Sequence, residues 1–138
     1  MIKVFVNGTF DVLHSGHLQL LAHAKSLGDT LLVALDTDDR VSAKKGPSRP
    51  VNSLVTRLHI MSFLKPVDSV TAFSSDAELE SIIKNYCPDV MVVGSDWQGK
   101  SVIGSQYAKR LVFFDRIKNF STSATLDKYL GSIRENDK

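Results

Sequence analysis

The sequence holds a single cysteine, Cys87, so no internal disulfide can form and a reducing compartment is expected. Neither a paired cysteine nor a nearby histidine accompanies it, and its place before Pro88 reads as a packing position in a helix-to-strand turn. No apolar run approaches the ~20 residues that a membrane-spanning helix needs. Met1 to Val6 enters a strand-like run at once, so neither a signal peptide nor a membrane partner is expected and the location is read as cytoplasmic. Charge of one sign is scarce as well. A formal net charge of +2 does not announce a nucleic-acid partner, and no basic stripe with interleaved aromatics appears. Internal repeats and low-complexity segments are missing. What is present is an ordinary globular mixture, 43% hydrophobic and 23% charged, over 138 residues. That suits one domain with one core across residues 1–138, with 131–138 as a frayed tail.

Hydrophobic patterning alternates between two periods. Ile2 to Val6 is a buried strand meeting a turn at Asn7-Gly8. From His17 the period becomes helical, with Leu20, Leu21, Ala24 and Leu27 on one face and Gly28 as a C-cap. Leu31 to Leu35 is a second strand, and its continuous apolar run favours a sheet covered on both faces. Asp36 to Arg49 is polar and reads as a long functional loop. Asn52 or Ser53 caps a helix to about Leu64, Ser69 to Phe73 is a third strand, and Asp76 caps a helix to Tyr86. Asp89 to Val93 is a fourth strand closed by Gly94, residues 95–110 form a loop with one short helix, and Leu111 to Phe114 is a fifth strand. Ser121 or Thr122 opens a final helix through Leu130. The fold class is therefore α/β: a Rossmann-like, doubly wound, five-stranded and mostly parallel sheet in a single domain. Ligands of such sheets bind outside the carboxyl ends of the strands, just after Val6, Leu35, Val93 and Phe114.

One string there carries chemistry: Gly8-Thr9-Phe10-Asp11-Val12-Leu13-His14-Ser15-Gly16-His17. Gly8 allows a ligand close to the backbone. His14 and His17, three apart at a helix opening, stand beside unpaired amides and the positive end of the helix dipole. A polyphosphate would find side-chain and backbone donors together there. A His-x-x-His pair alone also fits two surface histidines or a metal pair, although the zinc-protease spacing and its glutamate are missing. Asp11 reads as a residue that shapes the turn. His23 and His59 read as ordinary helix residues.

The whole string resembles the signature of the HxGH nucleotidylyltransferases, and within them it is most similar to the glycerol-3-phosphate cytidylyltransferase group. The resemblance covers about residues 2–130. It implies a Rossmann-like domain, commonly a homodimer, and in-line attack of a phosphomonoester on the α-phosphate of a nucleoside triphosphate. Mg2+ accompanies the triphosphate, and no protein-held metal is expected. Gly94-Ser95-Asp96-Trp97 resembles the stretch after the fourth strand, which places Asp96 near the ribose or base and Trp97 near the nucleotide. By themselves the residues fit a turn aspartate equally well. Arg116 with Ser121-Thr122 resembles the family's Arg-Thr-Glu-Gly-Ile-Ser-Thr segment, although Ile117-Lys118-Asn119-Phe120 has lost its Glu-Gly pair. The implied nucleotide-binding set is Gly8, Thr9, Phe10, His14, His17, Gly94, Asp96, Trp97, Arg116, Ser121 and Thr122. Lys44 resembles a loop lysine that reaches the phosphates, and Arg57 an arginine that binds the acceptor's phosphate. Taken alone, the first is a solvated loop cation and the second a surface helix residue or an ion-pair partner. The implied catalytic set is His14, His17, Lys44 and Arg116, with Arg57 and Lys44 on the acceptor phosphate.

The substrate reading divides. Trp97-Gln98-Gly99-Lys100 favours CTP with a glycerol-type phosphate. Lys45-Gly46-Pro47-Ser48-Arg49-Pro50-Val51-Asn52, with Ile103-Gly104-Ser105, resembles heptose-phosphate adenylyltransferases, which use ATP and a sugar 1-phosphate. The leading expectation is the first, the alternative is the second, and a non-catalytic nucleotide-binding module is a third.

Overall fold

Residues 1–115 are described by the computed structural model. Five strands carry the sheet: β1 Lys3–Gly8, β2 Thr30–Asp36, β3 Ser69–Phe73, β4 Val90–Gly94 and β5 Arg110–Phe114. Four helices connect them: α1 Ser15–Ser26, α2 Asp38–Lys45, α3 Leu54–Ser62 and α4 Asp76–Tyr86. Short 3₁₀ turns at Ser95–Trp97 and Ser105–Tyr107 lie between β4 and β5. The strand order is β3-β2-β1-β4-β5 and every pairing is parallel. The chain thus runs outward from β1 through β2 to β3, then returns to the other side of β1. The crevice between β1 and β4 is the point where the order reverses, and a parallel sheet opens to ligands there.

Alternation along the strands sorts the core into two layers. Val4 and Val6 of β1, Leu31, Val33 and Leu35 of β2, and Val90 and Val92 of β4 face one way. Leu21 and Ala24 of α1 and Met61 of α3 cover them. Phe5, Ala34, Phe73 and Met91 face the other way, under Leu79 and Ile83 of α4. Val102 and Ile103 pack on this second layer. Gly104 turns the chain there at φ 79°, and a Cβ on it would collide with Ile83.

Several boundaries differ from the sequence reading. β1 runs on to Gly8, so the turn follows Gly8 instead of beginning at Asn7. The expected loop from Asp36 to Arg49 contains α2, which is polar all round except for buried Val41 and so shows no helical stripe. Ser75, not Asp76, caps α4 by accepting from the amide of Glu78. Leu27 is the C-cap of α1, with Gly28 just beyond. Cys87 is not packed: it ends α4 in a left-handed conformation with its side chain exposed. His23 and His59 do lie on helices, beside Phe114 and Phe63 respectively. The final helix, the frayed tail, Arg116, Ser121 and Thr122 lie outside the described residues. Among the described residues, no helix is long and apolar enough to cross a membrane.

Candidate functional site

The end of β1 delivers the chain into a turn that α1 closes. His14 is the N-cap of α1, with extended backbone, and its Nδ1 accepts from the amide of Gly16 at 3.0 Å. Three residues on, Nδ1 of His17 accepts from the amide of His14 at 3.3 Å. The pair therefore forms a capping box built from imidazoles, which satisfies two of the amides a helix start leaves open. The rings stack, with centroids 3.8 Å apart and planes 24° apart. Because each Nδ1 accepts, each neutral ring keeps its proton on Nε2, the nitrogen suited to donate to an anion. Phe10 supports the pair from beneath. Its ring is buried and sits 5.3 Å from that of His17, while a Cβ on Gly8 would press on it at 3.0 Å. Phe10 was expected at the nucleotide, but its side chain packs in the core beneath His17.

Asp11 does more than shape a turn. Its carboxylate, 2% exposed, accepts from the amides of Val51 and Asn52, each at 2.8 Å, and from Nε of Arg49 at 3.0 Å. Asn52 returns a hydrogen bond to the Asp11 carbonyl at 2.9 Å. The loop between α2 and α3 is thereby latched onto the turn that precedes the histidines. Burial raises the Asp11 carboxyl's pKa, yet the two amides and Arg49 outweigh it and hold the group below its ordinary value of 3.8. A carboxyl depressed in the fold adds stability that is complete above the unfolded value and is lost as pH falls through the folded one. Wild-type protein is therefore expected to lose more stability between pH 5 and pH 3 than Asp11→Asn does. Thermal melts of both proteins across that range measure the difference, and parallel curves would refute the ionic latch.

Arg57 requires a correction. It was expected to hold the acceptor's phosphate from the surface of α3, yet it is 1% exposed. Its Nε donates to the carbonyl of Asn52 at 3.0 Å and its Nη1 to the carbonyls of Thr9 and Asp36 at 3.0 and 2.8 Å. Its Nη2 meets Asp38 Oδ1 at 2.8 Å. Such a guanidinium is committed to the protein and is not presented to a ligand. What it does is tie the turn after β1, the end of β2, the start of α2 and the α2–α3 loop into one body. Lys44 also sits differently from expectation, on the last turn of α2 and not on a loop. It is largely exposed, with Nζ 3.7 Å from Asp36 Oδ1.

A cleft opens at the carboxyl ends of β1, β2 and β4. Asn7, Asp36, Arg40 and Lys44 line its polar side, and Gly94 and Trp97 form part of the opposite rim. Asp36, 6% exposed, accepts from Nε of Arg40 at 2.6 Å, and the same guanidinium reaches Asp76. The sequence located the strand ends but gave no site role to Asn7, Asp36 or Arg40. The available signal was the first polar residue on the α4-facing alternation, Asn7 after Phe5 and Asp36 after Ala34. Asp96 lies exposed in the turn after β4, next to Trp97. The structure thus brings Gly8, Thr9, His14 and His17 to one side of the strand ends, and Gly94, Trp97 and Lys44 to the cleft. Among the described residues, no group of three His, Cys, Asp or Glu side chains is placed to hold a metal ion. The nearest carboxylates, Asp11 and Asp36, are already engaged by arginines.

Residues 5–112 match the cytidylyltransferase-like family model. The bifunctional protein HldE of Sulfurimonas denitrificans is 45% identical over 130 residues, 94% of this chain and 27% of that protein. HldE of Helicobacter pylori is 41% identical over 125 residues, 91% of this chain and again 27% of the relative. The chain therefore spans about a quarter of the length of these relatives. The lipopolysaccharide core biosynthesis protein of Thermoplasma volcanium superposes with a TM-score of 0.65 at 28% identity, covering 88% of this chain and 99% of that one. Pantothenate synthetase from Thermus thermophilus, at 12% identity, TM-score 0.60 and coverage of 85% and 56%, shares the fold alone. With the five parallel strands, the histidine-capped helix and a family match over most of its length, the chain belongs to the cytidylyltransferase-like family of nucleotidylyltransferases.

Proposed function

We propose that the protein transfers an adenylyl group from ATP to a sugar 1-phosphate of heptose type, releasing pyrophosphate. One observation carries the reaction class: two stacked imidazoles capping α1 at the mouth of the sheet crevice. The nucleotide and acceptor rest on likeness. The HldE relatives favour ATP with a sugar phosphate over CTP with a glycerol-type phosphate, which the sequence alone had put first. Likeness to a lipopolysaccharide core biosynthesis protein points the same way.

An oxygen of the sugar phosphate attacks the α-phosphorus of ATP, a new P–O bond forms, and the bond to the β-phosphate oxygen breaks as pyrophosphate leaves. The attacking oxygen is an anion at neutral pH, so no general base is required. His14 and His17 donate from Nε2 to the phosphate oxygens, where charge grows in the transition state. Gly8, Thr9 and the Phe10 backbone bound the triphosphate, Gly94 and Asp96 the nucleoside side, and Lys44 adds an exposed cation at the end of α2. Arg116, Ser121 and Thr122 belong to the same proposal by family likeness. Mg2+ enters with ATP and supplies charge neutralisation. Positioning and electrostatics are the whole contribution this reaction needs from a protein. Homodimeric assembly is part of the proposal as well.

Pyrophosphate release with Mg2+ tests it, crossing ATP and CTP against heptose 1-phosphate and glycerol 3-phosphate. Release with ATP and heptose 1-phosphate is expected. Release confined to CTP and glycerol 3-phosphate would restore the cytidylyl reading, and nucleotide binding without release would mark a non-catalytic module.

A further inference from the structure

The two faces of the sheet divide the crevice. Gly8, Phe10, His14 and His17 belong to the layer under α1, where Phe10 joins that core. Asn7, Asp36 and Val93 alternate to the opposite layer, under α4, and it is there that the cleft lies. In-line displacement requires the attacking group to approach from the side opposite the leaving pyrophosphate. With the histidines on the α1 side, the cleft on the α4 side offers room for an attacking group.

The cleft's lining matches a polyhydroxylated ring. Asp36 is held by Arg40 through Oδ1 alone, and its Oδ2 makes no hydrogen bond among the described residues. The side-chain amide of Asn7 makes none either. The carboxylate oxygen and the amide both line the cleft, and with no hydrogen bond among the described residues they are acceptors and a donor for sugar hydroxyls. Trp97, Val102 and Ile103 line the same cleft and offer apolar surface to the C–H face of a sugar ring. Lys44, 58% exposed at the rim, is placed to meet a phosphate. A three-carbon glycerol chain has no ring face to present to that surface.

We propose that Asp36 and Asn7 recognise the hydroxyls of the acceptor sugar while Trp97 packs against its ring, and that these three residues select a sugar phosphate over glycerol phosphate. The inference rests on the acceptor class proposed above and assigns its recognition to specific side chains. Trp97 is the single tryptophan of the chain, so its emission reports occupancy of the cleft without any turnover.

The experiment titrates wild type, Asn7→Ala and Asp36→Asn with heptose 1-phosphate, glycerol 3-phosphate, inorganic phosphate and ATP, following Trp97 fluorescence, with pyrophosphate release read separately. Asn7→Ala deletes a side-chain amide that makes no hydrogen bond among the described residues, so little is lost in folding. Heptose 1-phosphate is expected to change the emission saturably in wild type, more tightly than glycerol 3-phosphate or inorganic phosphate. Each variant is expected to raise its Kd about tenfold, the order expected for one lost hydroxyl contact, and to leave the Kd for ATP unchanged. Unchanged heptose 1-phosphate binding in both variants would overturn the assignment, as would equal preference for glycerol 3-phosphate. Weakened ATP binding alone would make the cleft a ribose pocket, which also overturns it. Sugar phosphate binding without pyrophosphate release would instead remove the proposed reaction and leave the recognition site standing.

Discussion

Replacing His17 with alanine is expected to lower kcat by about 10²–10³-fold while the protein stays folded. The reasoning begins at the helix start. His17 Nδ1 accepts from the amide of His14 at 3.3 Å, and Phe10 packs against the ring from below, so the imidazole is held before any ligand arrives. A donor held in advance costs no reorganisation as charge develops on the phosphate oxygens, which is why one such group accounts for two to three orders of magnitude. The structural loss is small by comparison, because the backbone partner at a half-buried helix start is accessible to water. His14→Ala is expected to show a similar fall in kcat together with a loss of about 0.5–2 kcal/mol, since His14 is itself the N-cap. Single-turnover kinetics beside thermal melts separate the two effects. Near-normal turnover in His17→Ala would remove the histidines from the mechanism.

The second large effect falls on stability. Arg57→Met is expected to destabilise the fold by about 3–5 kcal/mol, because one substitution takes the donor from three carbonyl oxygens, that of Asp36 buried and those of Thr9 and Asn52 partly buried. The ion pair with Asp38 adds little, since that carboxylate is 47% exposed. Methionine matches the stem of arginine in bulk, so the loss reports hydrogen bonds and not a cavity. Urea unfolding measures it directly, through a lower midpoint at an unchanged slope. An acceptor-binding arginine would behave in the opposite way, with intact stability and a raised KM for the sugar phosphate. That outcome would reinstate the role suggested by family likeness.

Arg57 and Lys44 mark where sequence reading stops. A cation on a helix is written identically whether it faces solvent, a ligand or the interior, and only the elements around α3 decide among these. α2 was unreadable for a related reason. Eight residues with one buried side chain, Val41, leave no apolar stripe, so the segment looks like a polar loop. Cys87 was misjudged because a packing residue and a left-handed helix terminus share the same neighbourhood before a proline.

Much else was local and therefore legible. The strands announced themselves through continuous apolar runs bounded by polar turns, and their alternation with helices implied a parallel sheet with ligands at its carboxyl ends. The string from Gly8 to His17 was legible as a strand end leading into a helix start, because the glycine and the capping histidine lie close together in the chain. Recognition of the acceptor is a different kind of property. Asn7, Asp36 and Trp97 lie on three separate strand ends, and no spacing in the sequence relates them. They meet because β1 pairs with both β2 and β4, which makes neighbours of residues about thirty and ninety positions apart. What the chain alone determined is the fold class and the turn from Gly8 into α1, since short-range periodicity and capping suffice for both. The cleft, the Asp11 latch and the burial of Arg57 were decided by the tertiary structure, because each depends on contacts that exist only after distant strands have paired.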